Sequence, residues 1–386
     1  VNDWKEVSLQ DLATEVTVGH VGPMAQHYRE EGIPFLRSLN VDAHTLDLEN
    51  VKYISAEFHA KLKKSMLMPG DVVTVRTGKP GTTSVIPEDL PIANCSDLVI
   101  TRPGPKLDAR WFSYYMNSAG SNFVDAQLVG AVQQHFNVGS AKNMRIRLPP
   151  LPQQMAMAEV LGSLDDKIAT NTKLLATIDA LVQAQFRATL ADAHLQPLSD
   201  CAEFVNGKAF TKGASGTGRV VVRIAELNSG LGGSTVFSDA EVENKHVASP
   251  GDILFAWSGS LTLHRWFRDD AIVNQHIFKV IPRDGYPHWL VYELLRNKIE
   301  DFKLIAADKA TTMGHIQRKH LDEPVLVPGN LLRQEISPLM ETLWQASLNV
   351  ERERLTLATI RDTLLPQLMS GSLKVTDSET MVASVV

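Results

Sequence analysis

The chain has 386 residues, 44% of them apolar, with 38 Lys and Arg against 44 Asp and Glu for a net charge of −6. That is apolar material for two or three ordinary globular domains, and no uncharged apolar run approaches the roughly 20 residues a membrane span needs. An overall basic footprint for nucleic acid is missing, yet 15 Lys and Arg meet 16 Asp and Glu in each of residues 1–150 and 193–326, so either segment can present a basic face with its acids elsewhere.

In chain order, residues 1–150 mix short β-like runs, Asp71 to Val75 and Asp97 to Ile100, with turn signals and one helical stretch, Ala109 to Phe123. This pattern predicts an α/β (α+β) domain rich in loops. Pro149-Pro150-Leu151-Pro152 then punctuates the chain ahead of a long helix in residues 151–192. The mixed pattern resumes over 193–326, with strands expected at Asp252 to Ala256 and His276 to Val280 and a helix at His288 to Phe302. A second long helix follows Pro328-Gly329 within 327–375, and residues 376–386, without periodicity, are expected to be a disordered tail.

These parts are two copies of one plan. Pro69-Gly70-Asp71 returns as Pro250-Gly251-Asp252, 181 positions on, and Leu175-Ala176-Thr177-Ile178 returns as Leu357-Ala358-Thr359-Ile360, 182 positions on. Between them Asn94 falls against Asn274, Trp111 against Trp289 and His135 against His315. A period this long marks a tandemly duplicated domain, not a solenoid unit. Two related halves suit a partner that is itself two-fold, such as duplex DNA.

The long helices carry heptads. Leu161, Ile168, Leu175 and Val182 are spaced by seven, as are Ile336, Leu343, Val350, Leu357 and Leu364. Leu164, Ile178, Leu339 and Ile360 follow three residues after some of them, completing a coiled-coil seam. Asn171, Gln185, Glu353 and Gln367 interrupt the stripe at d-like sites, where polar side chains restrict register or partner.

Chemistry is sparse. Gly213 to Val220 approaches a phosphate loop, but Arg219 stands where Lys is required and Val220 where a metal-binding hydroxyl is required. Glu243-Asn244-Lys245 offers a nuclease-like Glu-x-Lys without the preceding Pro-Asp pair, and the 12 histidines lack zinc spacing. No catalytic residue, metal site or cofactor is expected. Cys95 and Cys201 lack a Cys or His partner at metal spacing and do not match across the repeat, which fits buried apolar thiols in a reduced compartment. Val1-Asn2-Asp3-Trp4 shows no signal pattern, so a cytoplasmic location is expected.

The run Leu148-Pro149-Pro150-Leu151-Pro152-Gln153-Gln154, with Leu164-Asp165-Asp166-Lys167-Ile168, resembles the central region of type I restriction-modification specificity (S) subunits. Ile360 to Gly371 resembles the end of the terminal helix in the same family, and the repeated Pro-Gly-Asp stretches resemble its strand-turn motif. The resemblance spans nearly the whole chain. It implies two target recognition domains reading a split DNA target, with two long helices between them packed as an antiparallel coiled coil that serves as a spacer. It also implies docking of two methyltransferase subunits, with methylation and cleavage supplied by those and by restriction subunits. The residues alone leave a rival open, a non-DNA adaptor using the duplicated domains for protein contacts.

Sequence readout needs polar side chains on loops that reach base edges, with cations on phosphates. In the first repeat Arg37, Asn40, Arg76, Thr77, Lys79, Gln133, Gln134 and His135 qualify. In the second, Arg223, Asn228, Ser258, Ser260, His264, Arg265, Thr311, Thr312, His315 and Gln317 lie in corresponding places. Arg76 and Lys79 lead, because Gly78 and Gly81 permit close backbone approach to a phosphate. Pro-Gly-Asp reads as a turn entering a strand.

Overall fold

The computed structural model describes residues 4–128, 135–308 and 314–383. The chain divides into two compact units, Val1–Ile168 with Leu357–Val386, and Ala169–Thr356. Each unit joins one repeat to part of each long helix.

In the first unit, strands β1 (Ala13–Val18), β2 (Val72–Val75), β3 (Thr83–Val85) and β4 (Leu98–Pro103) form an antiparallel sheet in the order β3-β2-β4-β1. In the second unit, β5 (Ala202–Asn206), β6 (Ile253–Ala256), β7 (Thr262–Arg265) and β8 (Ile277–Pro282) repeat it as β5-β8-β6-β7. A second sheet lies beside each. Ile33–Leu36 pairs in parallel with Ala93–Cys95 in the first unit, and Arg219–Val222 with Ala271–Val273 in the second. The strands Asp71 to Val75, Asp97 to Ile100, Asp252 to Ala256 and His276 to Val280 thus stand close to their expected positions.

Both Pro-Gly-Asp segments are turns. Gly70 and Gly251 have φ of 85° and 100°, which favours glycine. The carboxylates then close the turns, Asp71 Oδ2 accepting from Met68 N at 3.0 Å and Asp252 Oδ2 from Ser249 N at 2.7 Å. This is why the motif was copied with the fold.

Helix α1 (Ala109–Met116) is capped by Asp108, whose side chain accepts from Trp111 N, and it buries Trp111 and Phe112. The expected single helix to Phe123 is interrupted and resumes at Ser121–Leu128. Asn117 explains the break by donating to Thr83 O and Ser113 O. Gly120 then passes so close to Met116 that an added Cβ would lie 2.9 Å from its Cα. The long helix α2 (Leu151–Ala188) follows. In the second unit α3 (His288–Asp308) holds Trp289 and outruns the expected end at Phe302, and α4 (Asn330–Ser370) begins where Pro328-Gly329 predicted.

At 1.5 Å per residue the two long helices, of 38 and 41 residues, measure roughly 57 and 62 Å. Their seams are buried. Leu161, Leu364 and Leu368 join the core of the first unit with Leu357; Ile178 and Val182 join that of the second with Met340, Trp344 and Leu348. Ile168 and Leu343 pack at the edges of those cores, and Leu175 and Val350 are buried as well. Leu339 departs from the pattern and is 44% exposed.

Two expectations are corrected. The described part of the expected disordered tail is helical: Val375–Ala383 forms helix α5. Val375 and Val382, seven apart, lie on one helical face, and both pack on the first core with Leu373. Asn94 is also not the counterpart of Asn274. Asn94 lies fully buried within the strand Ala93–Cys95, whereas Asn274 follows its strand and bridges to Lys208 as Ser96 bridges to His20.

Candidate nucleic-acid interface

At one end of each four-stranded sheet the same three chain segments converge. In the first unit Phe136 N donates to Arg76 O at 3.1 Å, and in the second Ile316 N donates to Trp257 O at 3.1 Å. Gly19 N donates to Leu98 O just as Gly207 N donates to Ile277 O. Arg76 therefore corresponds to Trp257, and His135 to His315, as the repeat predicted. Preceding β4 and β8 stand Asp97 and His276, which take φ of 51° and 73°. A non-glycine residue in that region is strained and recurs at functional sites. Both were missed in the sequence, where nothing marks a left-handed Asp or His just before a strand.

The three positions hold different chemistry in the two units. In the first, the Arg76 guanidinium forms an ion pair with Asp97 and donates from Nε to Phe136 O at 3.0 Å. Thr77 lies beside Asp97 at the limit of a hydrogen bond, 3.5 Å. Arg76 is thus held within the unit, its side chain 13% exposed, while Thr77 and Lys79 lie exposed beyond it. In the second unit Trp257 donates from Nε1 to Asn206 Oδ1 at 2.8 Å, and its ring lies 5.3 Å from that of His276. His315 meets the same indole edge-on at 6.4 Å.

Other candidates separate into two groups. Asn228 and Ser260 are exposed and joined at 2.8 Å, with Thr262 donating to Asn228 at 3.1 Å. Ser258 is buried and its backbone bridges to His315. Gln317 is exposed at the start of a short 3-10 turn. These residues gather near Trp257. The remaining ones are committed inside their units. Asn40, 1% exposed, accepts from Arg37 N and donates to Asp47 O; Arg37 donates to Asn50 O. Arg223 is bound by Glu226 and Ser234 O. Each closes a local turn.

Arg265 and His264 also face inward. Arg265 lies between Asp179 of α2 at 3.2 Å and Glu351 of α4 at 3.9 Å, over the rings of Tyr292 and Trp344. Burial holds the Glu351 carboxyl above the usual carboxylate range and the His264 imidazole below its ordinary value. Gln133, Gln134, Thr311 and Thr312 lie outside the described residues. Among the described residues no group of His, Cys, Asp and Glu is placed to hold a metal, and no helix is long and apolar enough to cross a membrane.

Residues 2–180 match the model of the type I restriction modification DNA specificity domain. The type I restriction enzyme MjaIX specificity subunit of Methanocaldococcus jannaschii is 27% identical over 89 residues, 23% of this chain and 20% of that protein. The S subunit of a type I restriction-modification system from M. genitalium shares 14% identity but superposes over 95% of this chain and 96% of its own, with a TM-score of 0.63. The HsdS subunit from Thermoanaerobacter tengcongensis aligns over 96% of the chain at a TM-score of 0.34, too low to bear on the fold. Residues 2–180 are therefore similar to the type I restriction modification DNA specificity domain, and the chain as a whole shares the fold of the M. genitalium S subunit.

Proposed function

We propose that this chain is the specificity subunit of a type I restriction-modification system and reads a split, asymmetric duplex DNA target, residues 1–150 engaging one half-site and residues 193–326 the other. The observation that carries this reading is the hub repeated in each unit. One strand framework presents Arg76, Asp97 and His135 in the first and Trp257, His276 and His315 in the second. A shared frame with different chemistry at matched positions suits two different half-sites. Exposed Thr77 and Lys79 in one unit, and Asn228, Ser260, Gln317 and Lys208 in the other, surround these hubs with donors and cations suited to base edges and phosphates.

In this reading the helices hold the spacing between half-sites and dock two methyltransferase subunits, with restriction subunits completing the complex. The chain itself performs no chemistry and works in the cytoplasm, on genomic DNA. Mapping DNA methylation in cells with and without the chain tests this. Loss of methylation at one split motif is expected, and an unchanged pattern in an active system overturns the reading.

A further inference from the structure

Trp257 is placed where the first unit has Arg76, so the second unit replaces a cation at the centre of its hub with a flat apolar ring. The indole is half-buried, while His276 beside it is exposed. It is pinned on several sides: Asn206 holds Nε1 at 2.8 Å, Phe278 packs at 5.7 Å, and His276 and His315 flank it. The backbone on either side is tied as well, Trp257 N to His276 O, Trp257 O to Ile316 N, and Gly259 N to Gly314 O. Lys208, two residues beyond Asn206, is engaged by Glu243 at 3.4 Å.

A ring fixed this way cannot swing out and insert between base pairs, as an unstacking wedge must. It can offer a rigid apolar surface to a group that comes to it. In the major groove the one apolar feature that distinguishes a base pair is the 5-methyl group of thymine. We propose that Trp257, buttressed by His276, is a specificity-determining residue that contacts a thymine methyl in the half-site of the second unit. This rests on the DNA-reading function above. His276, at a φ of 73°, lies with its imidazole 5.3 Å from the indole, and a non-glycine residue in that region recurs at functional sites.

Selection of bound duplexes from a random-sequence library by the full-length chain, followed by sequencing, tests the idea. Wild type is expected to select a split motif with thymine at one position of one half. Trp257→Ala should lower the preference for that thymine about fourfold, the effect of one methyl-sized contact, and leave the other half unchanged. Trp257→Phe, which keeps an aromatic surface and guards against a folding defect, should retain the preference. Uracil in place of that thymine should weaken wild type about fourfold and leave Trp257→Ala unaffected. An unchanged motif with Trp257→Ala, or equal binding of uracil and thymine by wild type, overturns the contact while DNA reading stands. If wild type selects no split motif, the DNA-reading function falls, and the contact with it.

Discussion

Asn171 donates its side-chain amide to Glu353 Oε2 at 3.0 Å, and the two residues stand 182 positions apart, the shift that relates Leu175 to Leu357. Equivalent points of the two repeats therefore meet each other on the paired helices. Asn171 is 3% exposed, so its polar group is desolvated and depends on that partner. Both residues interrupt an apolar seam, and the two interruptions satisfy each other.

Removing one partner should cost more than removing both. Asn171→Leu is expected to destabilise the chain by about 1–2 kcal/mol. Asn171→Leu with Glu353→Leu should recover that loss while weakening the register. Urea unfolding of the parent, single and double variants checks it; a double variant no more stable than the single would show that the pair is not coupled.

Arg265 holds two carboxylates from different long helices. Arg265→Met should cost about 3–5 kcal/mol, because Asp179 and Glu351 stay behind without their shared cation. Glu351 already has a folded pKa above its unfolded value. Such a group favours the folded state in acid and loses that advantage as pH rises through the folded pKa. The loss in Arg265→Met should accordingly be smaller near pH 5 than near pH 8. A variant that melts like the parent at both pH values would reject the role.

His44 predicts an opposite trend. Burial lowers its pKa from 6.5 to about 4, and its Nδ1 lies 3.3 Å from the Asn117 amide while its ring packs against Tyr114. The folded state then binds fewer protons, so the stabilisation is complete above pH 6.5 and is lost as pH falls from there to about 4. The loss amounts to about 3 kcal/mol at most. His44→Gln should flatten this part of the stability profile, measured by denaturant midpoints between pH 7 and 4. An equally steep profile in the variant would assign the acid sensitivity elsewhere.

Both cysteines are unpaired and fully buried, and burial raises both thiol pKa values, that of Cys201 to about 11. Neither should react with a disulfide reagent in the native chain at pH 8, since the thiolate is the reactive form. Both should react once denaturant is added. Rapid native labelling of either would contradict the packing around it.

The skeleton was legible because burial imposes a period. Heptads marked Leu161, Leu175, Val182, Leu357 and Leu364 before any contact was known, and the Pro-Gly-Asp turns announced two strands. The loops were harder to read, because a polar side chain looks alike in sequence whether it faces solvent or an internal partner. Arg76 finds Asp97 across 21 positions, and Arg265 finds Asp179 across 86. No local pattern signals either pairing. The helix after Lys374 was missed because its two core-facing valines are too few to set up a visible period, and they depend on a core built from distant residues.

Asp165 and Arg361, joined at 2.7 Å, show what became of the copied helices. Adding or subtracting 182 gives their counterparts, Ser347 and Asp179. If two copies of the first half met through this seam, Asp165 would face Asp179 and Asn171 would face itself. Two copies of the second half would set Glu353 against Glu353. At these positions each helix is matched to the other and would set like charge against like charge on its own duplicate, so neither half of the seam is self-complementary.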